Sequence, residues 1–240
     1  HLTLPRNIKT TVDGRIVDLT ASTFTDVELN IVGKSAGYRN RLLEWAQGID
    51  VDAGPDSNGN PVPRLSIEDP LHSEPTIITY SSDSQTGKKD RTLFLGTNSG
   101  YLHAIDADKN NFKEYFSYIP KELLRNANLY HTADLYEPKP YGVDGPINYW
   151  HADANQNAQV DNGEKVYLYF GLRRGGRHYY ALDISNPENP KFQWQINGGD
   201  GGDFDKMGES WSPMTLAKVR WGDSGKSKVV LLFGGGYDPQ

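Results

Sequence analysis

Residues 153–164 place oxygen-bearing side chains where a hard cation needs them. With Asp153 as position one, Asn155 is position three, Asn157 five, Gln159 seven, Asp161 nine and Glu164 twelve. This is the EF-hand ligand register: side-chain oxygens at one, three, five and nine, a backbone carbonyl at seven and a carboxylate at twelve. Calcium takes six to eight oxygen ligands, and alternate residues of a tightly curled loop point inward. The metal set is therefore Asp153, Asn155, Asn157, the Gln159 backbone carbonyl and Asp161, with Glu164 as an optional addition. Position six is Ala158, where glycine is expected; either Ala158 bears the cost of a left-handed backbone, about 1–2 kcal/mol, or the loop curls differently after Asn157. Val160, at position eight, is apolar and suited to be pinned under the loop. Only Asp153 and Asp161, with or without Glu164, bring charge, which predicts affinity roughly in the micromolar to millimolar range. The competing reading is a solvated polar turn.

A second set is sparser. Asp56, Asn58 and Asn60 have the one-three-five spacing, with Asp50 and Asp52 just before them. The ninth position is Arg64, which cannot be a ligand. A plain Asp/Asn/Gly turn competes with a second site made of Asp52, Asp56, Asn58 and Asn60. Nothing else in the chain spells out catalysis. The six histidines show no HxH or HxxxH pairing, and there is no GxSxG or P-loop. The run Gly198-Gly199-Asp200-Gly201-Gly202 lacks the Lys-Ser/Thr of a phosphate loop and reads as a flexible turn. Arg173, Arg174 and Arg177 cluster on a turn, as a partner contact or a solvated hairpin tip.

The elements that must hold these residues are short. Strand-like runs fall at 15–19 and 27–32. A helix is expected after Gly33, with Tyr38, Leu42, Trp45 and Ala46 on one face and Gly48 as its C-cap. Further strands are expected at 76–80, 91–96, 101–106 and 114–119, then a short helix over 120–128. The pattern recurs at 147–150, 165–171, 177–183 and 192–196, and starts again at 211–219 and 228–234. Of Tyr179 and Tyr180, one should face the core. Leu93-Phe94-Leu95-Gly96 matches Leu168-Tyr169-Phe170-Gly171, and Ala104-Ile105-Asp106 matches Ala181-Leu182-Asp183. The Ala and Asp pairs share one offset; the Gly pair is two residues shorter, as a longer second hairpin requires. Four-strand units in series, each with a glycine-turn hairpin, indicate an all-β β-propeller fragment with antiparallel blades; a sandwich is the alternative. Short helices fall in the N-terminal part and after the first blade. The organisation is a lead-in over 1–68 and a partial propeller over 69–240, with blades near 70–130, 140–197 and 209–240, the last incomplete.

Bulk properties bound the rest. The chain has 240 residues, a formal net charge of −6, no cysteine, 25 glycines and 14 prolines. Without cysteine there is neither a disulfide nor a thiolate metal site. An acidic chain argues against nucleic-acid binding. No apolar run is long enough to cross a bilayer, and the first residues do not read as a signal peptide. The abrupt start at His1 and the stop just after a strand suggest a segment of something longer.

Several segments, in order, resemble one family. Asp69-Pro70-Leu71-His72-Ser73-Glu74-Pro75 is similar to the GDPLHSRP segment of PilC/PilY-type proteins of type IV pili, with Glu74 in place of the family's Arg. Gly96-Thr97-Asn98-Ser99-Gly100-Tyr101-Leu102-His103-Ala104 and Tyr118-Ile119-Pro120-Lys121-Glu122-Leu123-Leu124 follow. Val143-Asp144-Gly145, Gly171-Leu172-Arg173-Arg174-Gly175-Gly176-Arg177, Tyr179-Tyr180-Ala181-Leu182-Asp183 and Ser210-Trp211-Ser212-Pro213 complete the series. The resemblance covers most of the chain from Trp45 onward. It implies a modified, quinoprotein-like propeller with calcium (Ca2+) in a nine-residue surface loop, here Asp153, Asn155, Asn157, Gln159 and Asp161. The family carries Asp at several places where this chain has Asn155 and Asn157, which lowers the expected affinity.

The same resemblance implies export to the outer membrane, cell surface or pilus tip (the fimbrium), and pilins or minor pilins as partners. It further implies pilus biogenesis, twitching motility, cell adhesion to host or abiotic surfaces, and virulence. A non-enzymatic calcium-binding module is the leading expectation. The rival is a periplasmic quinoprotein-type dehydrogenase, which would need a catalytic carboxylate and cofactor-stacking aromatics at the propeller axis.

Overall fold

A computed structural model describes residues 4, 6–64, 67–108, 113–132, 138–222 and 225–238. β-Branched and aromatic runs between glycine-rich turns form twelve strands among these residues. They are β1 (Ile8–Val12), β2 (Arg15–Asp18), β3 (Thr76–Ser82), β4 (Lys89–Gly96), β5 (Leu102–Asp106), β6 (Glu114–Tyr118), β7 (Ile147–His151), β8 (Val166–Gly171), β9 (Tyr179–Asp183), β10 (Lys191–Ile196), β11 (Thr215–Arg220) and β12 (Ser227–Leu232). Helix α1 (Tyr38–Ala46) precedes the first repeat. A 3-10 segment (Lys121–Asn126) running into α2 (Ala127–Thr132) follows it.

The two repeats are antiparallel meanders. The second forms a four-stranded sheet in the order β10-β9-β8-β7, and β3 to β6 pair the same way. The first sheet is six-stranded, because the β1–β2 hairpin adds to its edge, β1 running parallel to β6. The third repeat is the β11–β12 hairpin. The chain is thus mostly β with few helices, and four-stranded units are present in part. In both full repeats the third strand ends on a buried Asp whose Oδ1 accepts the N–H two residues on. Asp106 takes that of Asp108 and Asp183 that of Ser185, each at 2.9 Å. These Asx turns redirect the chain into the fourth strand.

Successive units are hooked together by their first strands. Thr76 donates to the Ile147 carbonyl at 2.9 Å, and Asn148 to that of Met214 at 3.1 Å. Between the sheets the Tyr118 ring meets those of Phe170 and Tyr180 edge-on, each at 6.2 Å. Strands β5 and β9 are buried along their whole length. Tyr179 and Tyr180 are therefore both core residues: Tyr180 packs toward the first sheet, Tyr179 toward Met207 and Met214. The expectation that one of them would be core assumed a sheet with one wet face.

Helix α1 buries Leu42, Trp45 and Ala46 as the spacing predicts. It stops in a Schellman turn, Gly48 N–H to Trp45 O at 3.0 Å and Ile49 N–H to Glu44 O at 3.1 Å, with Gly48 at φ 91°. Residues 27–32, expected as a strand, are turns instead. Thr25 and Glu28 form a reciprocal cap, Thr25 N–H to Glu28 Oε2 at 2.9 Å and Glu28 N–H to Thr25 Oγ1 at 3.3 Å. That cap commits the chain to a helical turn.

The lead-in is tied to the first sheet by a buried charge cluster. Arg6 grips Glu114 through two bonds of 2.8 and 2.7 Å, and its Nη2 also donates to Ser117 Oγ at 2.8 Å. His103 Nδ1 lies 2.8 Å from Glu114 Oε1. Burial alone would raise the Glu114 carboxyl, but Arg6 and His103 outweigh it and hold the group well below the usual carboxylate range. Burial pushes the His103 imidazole down. Ser117, His103 and Glu114 resemble a hydrolytic triad in type, but all are buried and clamped by Arg6. Glu114→Ala should lower the unfolding free energy by roughly 3 kcal/mol, and adding Arg6→Met should recover much of it. Urea titration of the two variants measures both.

Candidate metal centre

Strands β7 and β8 pair from Ile147↔Phe170 to His151↔Val166, so residues 152–165 form the connecting loop. Ala152 N–H closes it on the Lys165 carbonyl at 2.8 Å. Inside, Asp153 accepts the N–H of Asn157 at 3.1 Å and of Ala158 at 2.8 Å. Asn155 Oδ1 accepts Asn157 N–H at 3.1 Å, and Asn157 Oδ1 accepts Gln159 N–H at 2.9 Å. The Asn155 and Asn157 amides both donate to Asp161 Oδ2, at 2.7 and 2.9 Å. Four of the expected ligand side chains therefore converge between Asp153 and Asp161. Gln159 Oε1 is buried without a hydrogen bond among the described residues.

The curl rests on two left-handed residues, Gln156 at φ 59° and Ala158 at φ 60°. Ala158 thus takes the backbone conformation that position six demands, at the cost glycine would avoid. Glu164 is engaged elsewhere. Its Oε1 accepts Ala154 N–H at 2.9 Å, and its Oε2 accepts Asp161 N–H at 3.0 Å and meets His151 Nε2 at 2.9 Å. The Asp161 and Ala154 N–H groups hold this carboxyl below its usual range. It brackets the loop's two ends. Val160 is half-buried against the main core, and its N–H reaches the Thr79 carbonyl of β3 at 2.9 Å. The loop thereby touches the neighbouring sheet.

The donor set fits calcium in type. It offers two carboxylates, two amides that a half-turn would present oxygen-first, and a main-chain carbonyl, all hard oxygens. Among the described residues no three His, Asp or Glu side chains group as a metal site of their own.

The second loop closes on itself. Asp56 Oδ1 accepts the N–H groups of Asn58 and Asn60 at 2.8 and 2.9 Å, which hold its carboxyl low. Asp50 Oδ1 accepts those of Asp52 and Ala53. Asp52 itself turns to Arg41, and to His131 at 3.4 Å. The structure brings Asp56, Asn58 and Asn60 together and directs Asp52 elsewhere.

A cleft of about 420 Å³ lies between the Lys121–Asn126 segment and β10. Glu122 Oε1 lies there 3.5 Å from His178 Nε2, which is 3.6 Å from Asp200. Burial pushes the Glu122 carboxyl up to about 7, with Asp200 adding to the effect. No sequence signal pointed to this trio, because its members belong to separate repeats.

Comparison with known proteins sets these features in context. No family model matches the chain. It is 25% identical over 202 residues to the type IV pilus biogenesis factor PilY1 of Pseudomonas aeruginosa, covering 83% of this chain and 15% of that protein. A PilY1 homolog of Xylella fastidiosa is 29% identical over 152 residues, 61% of this chain and 9% of the homolog. The crystal structure of the P. aeruginosa PilY1 C-terminal domain aligns with 64% of this chain and 27% of that domain, at TM-score 0.41 and 25% identity. In sequence the chain is similar to type IV pilus biogenesis factors, as its motifs suggested. The relatives are of PilY1 type, and the chain spans about 15% of the P. aeruginosa protein's length.

Two outcomes follow from the geometry. Ala158→Gly should raise stability by up to about 1 kcal/mol, since relief of the left-handed backbone outweighs glycine's entropy; thermal melts without metal test it. Glu122 is raised in the fold, so its contribution is complete below its ordinary value of 4.5 and is lost as pH rises through about 7. Glu122→Gln should flatten that decline, seen as a smaller fall in melting temperature between pH 5 and pH 8.

Proposed function

We propose that this chain is a calcium-binding, non-enzymatic module of a type IV pilus assembly and adhesion protein, built as part of a β-propeller. The supporting observation is the convergence of Asp153, Asn155, Asn157 and Asp161 in one loop that also bonds to the neighbouring sheet through Val160 and Thr79. The PilY1-type relatives supply the pilus context.

Asp153, Asn155, Asn157, Asp161 and the Gln159 carbonyl would hold the ion. Bound there, calcium supplies a centre of positive charge that cross-links the loop. The chain's own residues do the rest. Glu164 keeps the two ends of the loop together, and Val160 passes its position to β3. A stiffened loop thus means a stiffened junction between two sheets, which a pilin or surface partner would read. Pilus extension, twitching and attachment are the activities such a module would support, at the cell surface or pilus tip.

Calcium titration should give saturable heat with a dissociation constant roughly between micromolar and millimolar. At about 100-fold excess over that constant, the ion should stabilise the fold by about 2.7 kcal/mol. Asp161→Ala should abolish both effects while leaving the metal-free melt close to that of the parent. In cells, the same substitution should reduce surface pili and twitching with export intact. A chain that melts identically with calcium and with chelator would refute the proposal.

A further inference from the structure

The turn between β8 and β9 carries Arg173 and Arg174, followed by Gly175 and Gly176. It is clamped from both sides. Arg173 N–H reaches the Ser210 carbonyl at 3.3 Å, and Ser210 N–H reaches that of Gly176 at 3.0 Å. A Cβ on Gly175 would lie 1.9 Å from the Gly142 carbonyl oxygen, so the turn presses directly on that strand of chain. Arg173 itself sits at φ 51°.

Both guanidinium groups lie near aromatic rings. That of Arg173 is 4.3 Å from the centre of the Trp211 ring; that of Arg174 is 5.3 Å from the same ring and 5.2 Å from Tyr141. Arg174 Nη1 also reaches Tyr141 Oη at 3.3 Å. The indole is anchored in turn, its Nε1 donating to Glu209 Oε2 at 2.9 Å and its ring 5.4 Å from that of Tyr237.

Two guanidinium groups lie side by side at this spot. The chain has 31 acidic and 25 basic residues. Yet no carboxylate among the described residues lies within ion-pair distance of Arg173 or Arg174, whereas nearby Arg177 reaches Asp238 at 3.6 Å. Two like charges share one aromatic ring and repel each other; the Glu209 carboxylate bonds that ring's N–H rather than either guanidinium, whose forked donors remain largely unspent. A planar carboxylate relieves the repulsion and matches the fork.

We propose that Arg173 and Arg174, displayed on Trp211 and Tyr141, form a docking site for an acidic peptide segment of a partner protein. Two guanidinium groups suit one or two carboxylates, and the exposed parts of the rings suit the aliphatic stems of Glu side chains. The remainder of the surface is net acidic, which disfavours an extended polyanion such as nucleic acid.

The test is fluorescence anisotropy with a labelled Glu-rich decapeptide, at low and at physiological salt, on the intact chain. Saturable, salt-weakened binding that falls roughly tenfold or more in Arg173→Gln/Arg174→Gln is the expected result. Arg174→Lys, at an exposed position that leaves folding unaffected, should weaken binding less than Arg174→Gln. A Gln-rich decapeptide should not bind. Equal binding by the double variant, equal binding of the Gln-rich peptide, no saturable binding, or tighter binding of a duplex oligonucleotide would each overturn the proposal.

Discussion

The structure depends on how closely one sheet can approach the next. At the junctions, main chain meets main chain with no room for a side chain. A Cβ on Gly96 would lie 2.5 Å from the Val143 carbonyl oxygen, one on Gly145 2.4 Å from that of Gly171, and one on Gly171 2.7 Å from that of Ser210. Glycine is required there for contact rather than for conformation. The backbone polar groups brought inside are then satisfied by neighbours, as when Gly96 N–H meets Ser73 Oγ at 2.9 Å and Leu172 N–H meets Ser210 Oγ at 2.8 Å. The Ser73 and Ser210 segments belong to separate repeats and perform the same task.

Around that junction the acidic chain distributes its carboxylates by role. Asp144 is fully buried against His72 at 2.9 Å, and Glu114 is buried under Arg6. Asp183 is pulled up by burial and pulled down further by Ser185 and Lys165, so it remains ionised at the end of β9. Each of these groups is consumed by the fold. Asp153 and Asp161 differ, because their partners are backbone N–H groups and amide side chains of their own loop rather than cations. Their negative charge is organised without being neutralised.

What the sequence disclosed and what it concealed divide by range. The repeat could be read because Asp106 and Asp183 act locally, each on an N–H two residues away. The α1 helix and its Gly48 terminus were legible for the same reason. Strand β1 went unread although Asp13-Gly14 marks its hairpin with β2; its parallel pairing with β6, about a hundred residues on, leaves no local signal. Arg6 and Glu114 are likewise remote in sequence. Residues 27–32 misled because Val27, Leu29 and Ile31 alternate with Glu28 and Asn30 as in a strand, yet only Leu29 and Ile31 of the three are buried. The Thr25–Glu28 cap overrides it. In the candidate site, the convergence of Asp153, Asn155, Asn157 and Asp161 was legible from their spacing; the bond to Thr79 was not, because it crosses between repeats.

Glu164 shows how flanking structure changes the meaning of a motif. Between two helices, the twelfth residue of such a loop swings in over the ion. Here the loop leaves and re-enters a single antiparallel ladder, and the pairing of His151 with Val166 sets the exit strand directly beside the entry strand. Two residues before Val166, Glu164 is forced to lie next to His151 and the opening N–H groups of the loop. Its oxygens are taken by Ala154, Asp161 and His151. The ladder therefore makes Glu164 a clasp at the loop's ends, outside the cluster that Asp153, Asn155, Asn157 and Asp161 form. That clasp ties the loop's two ends together, which offsets part of the entropy of closing it.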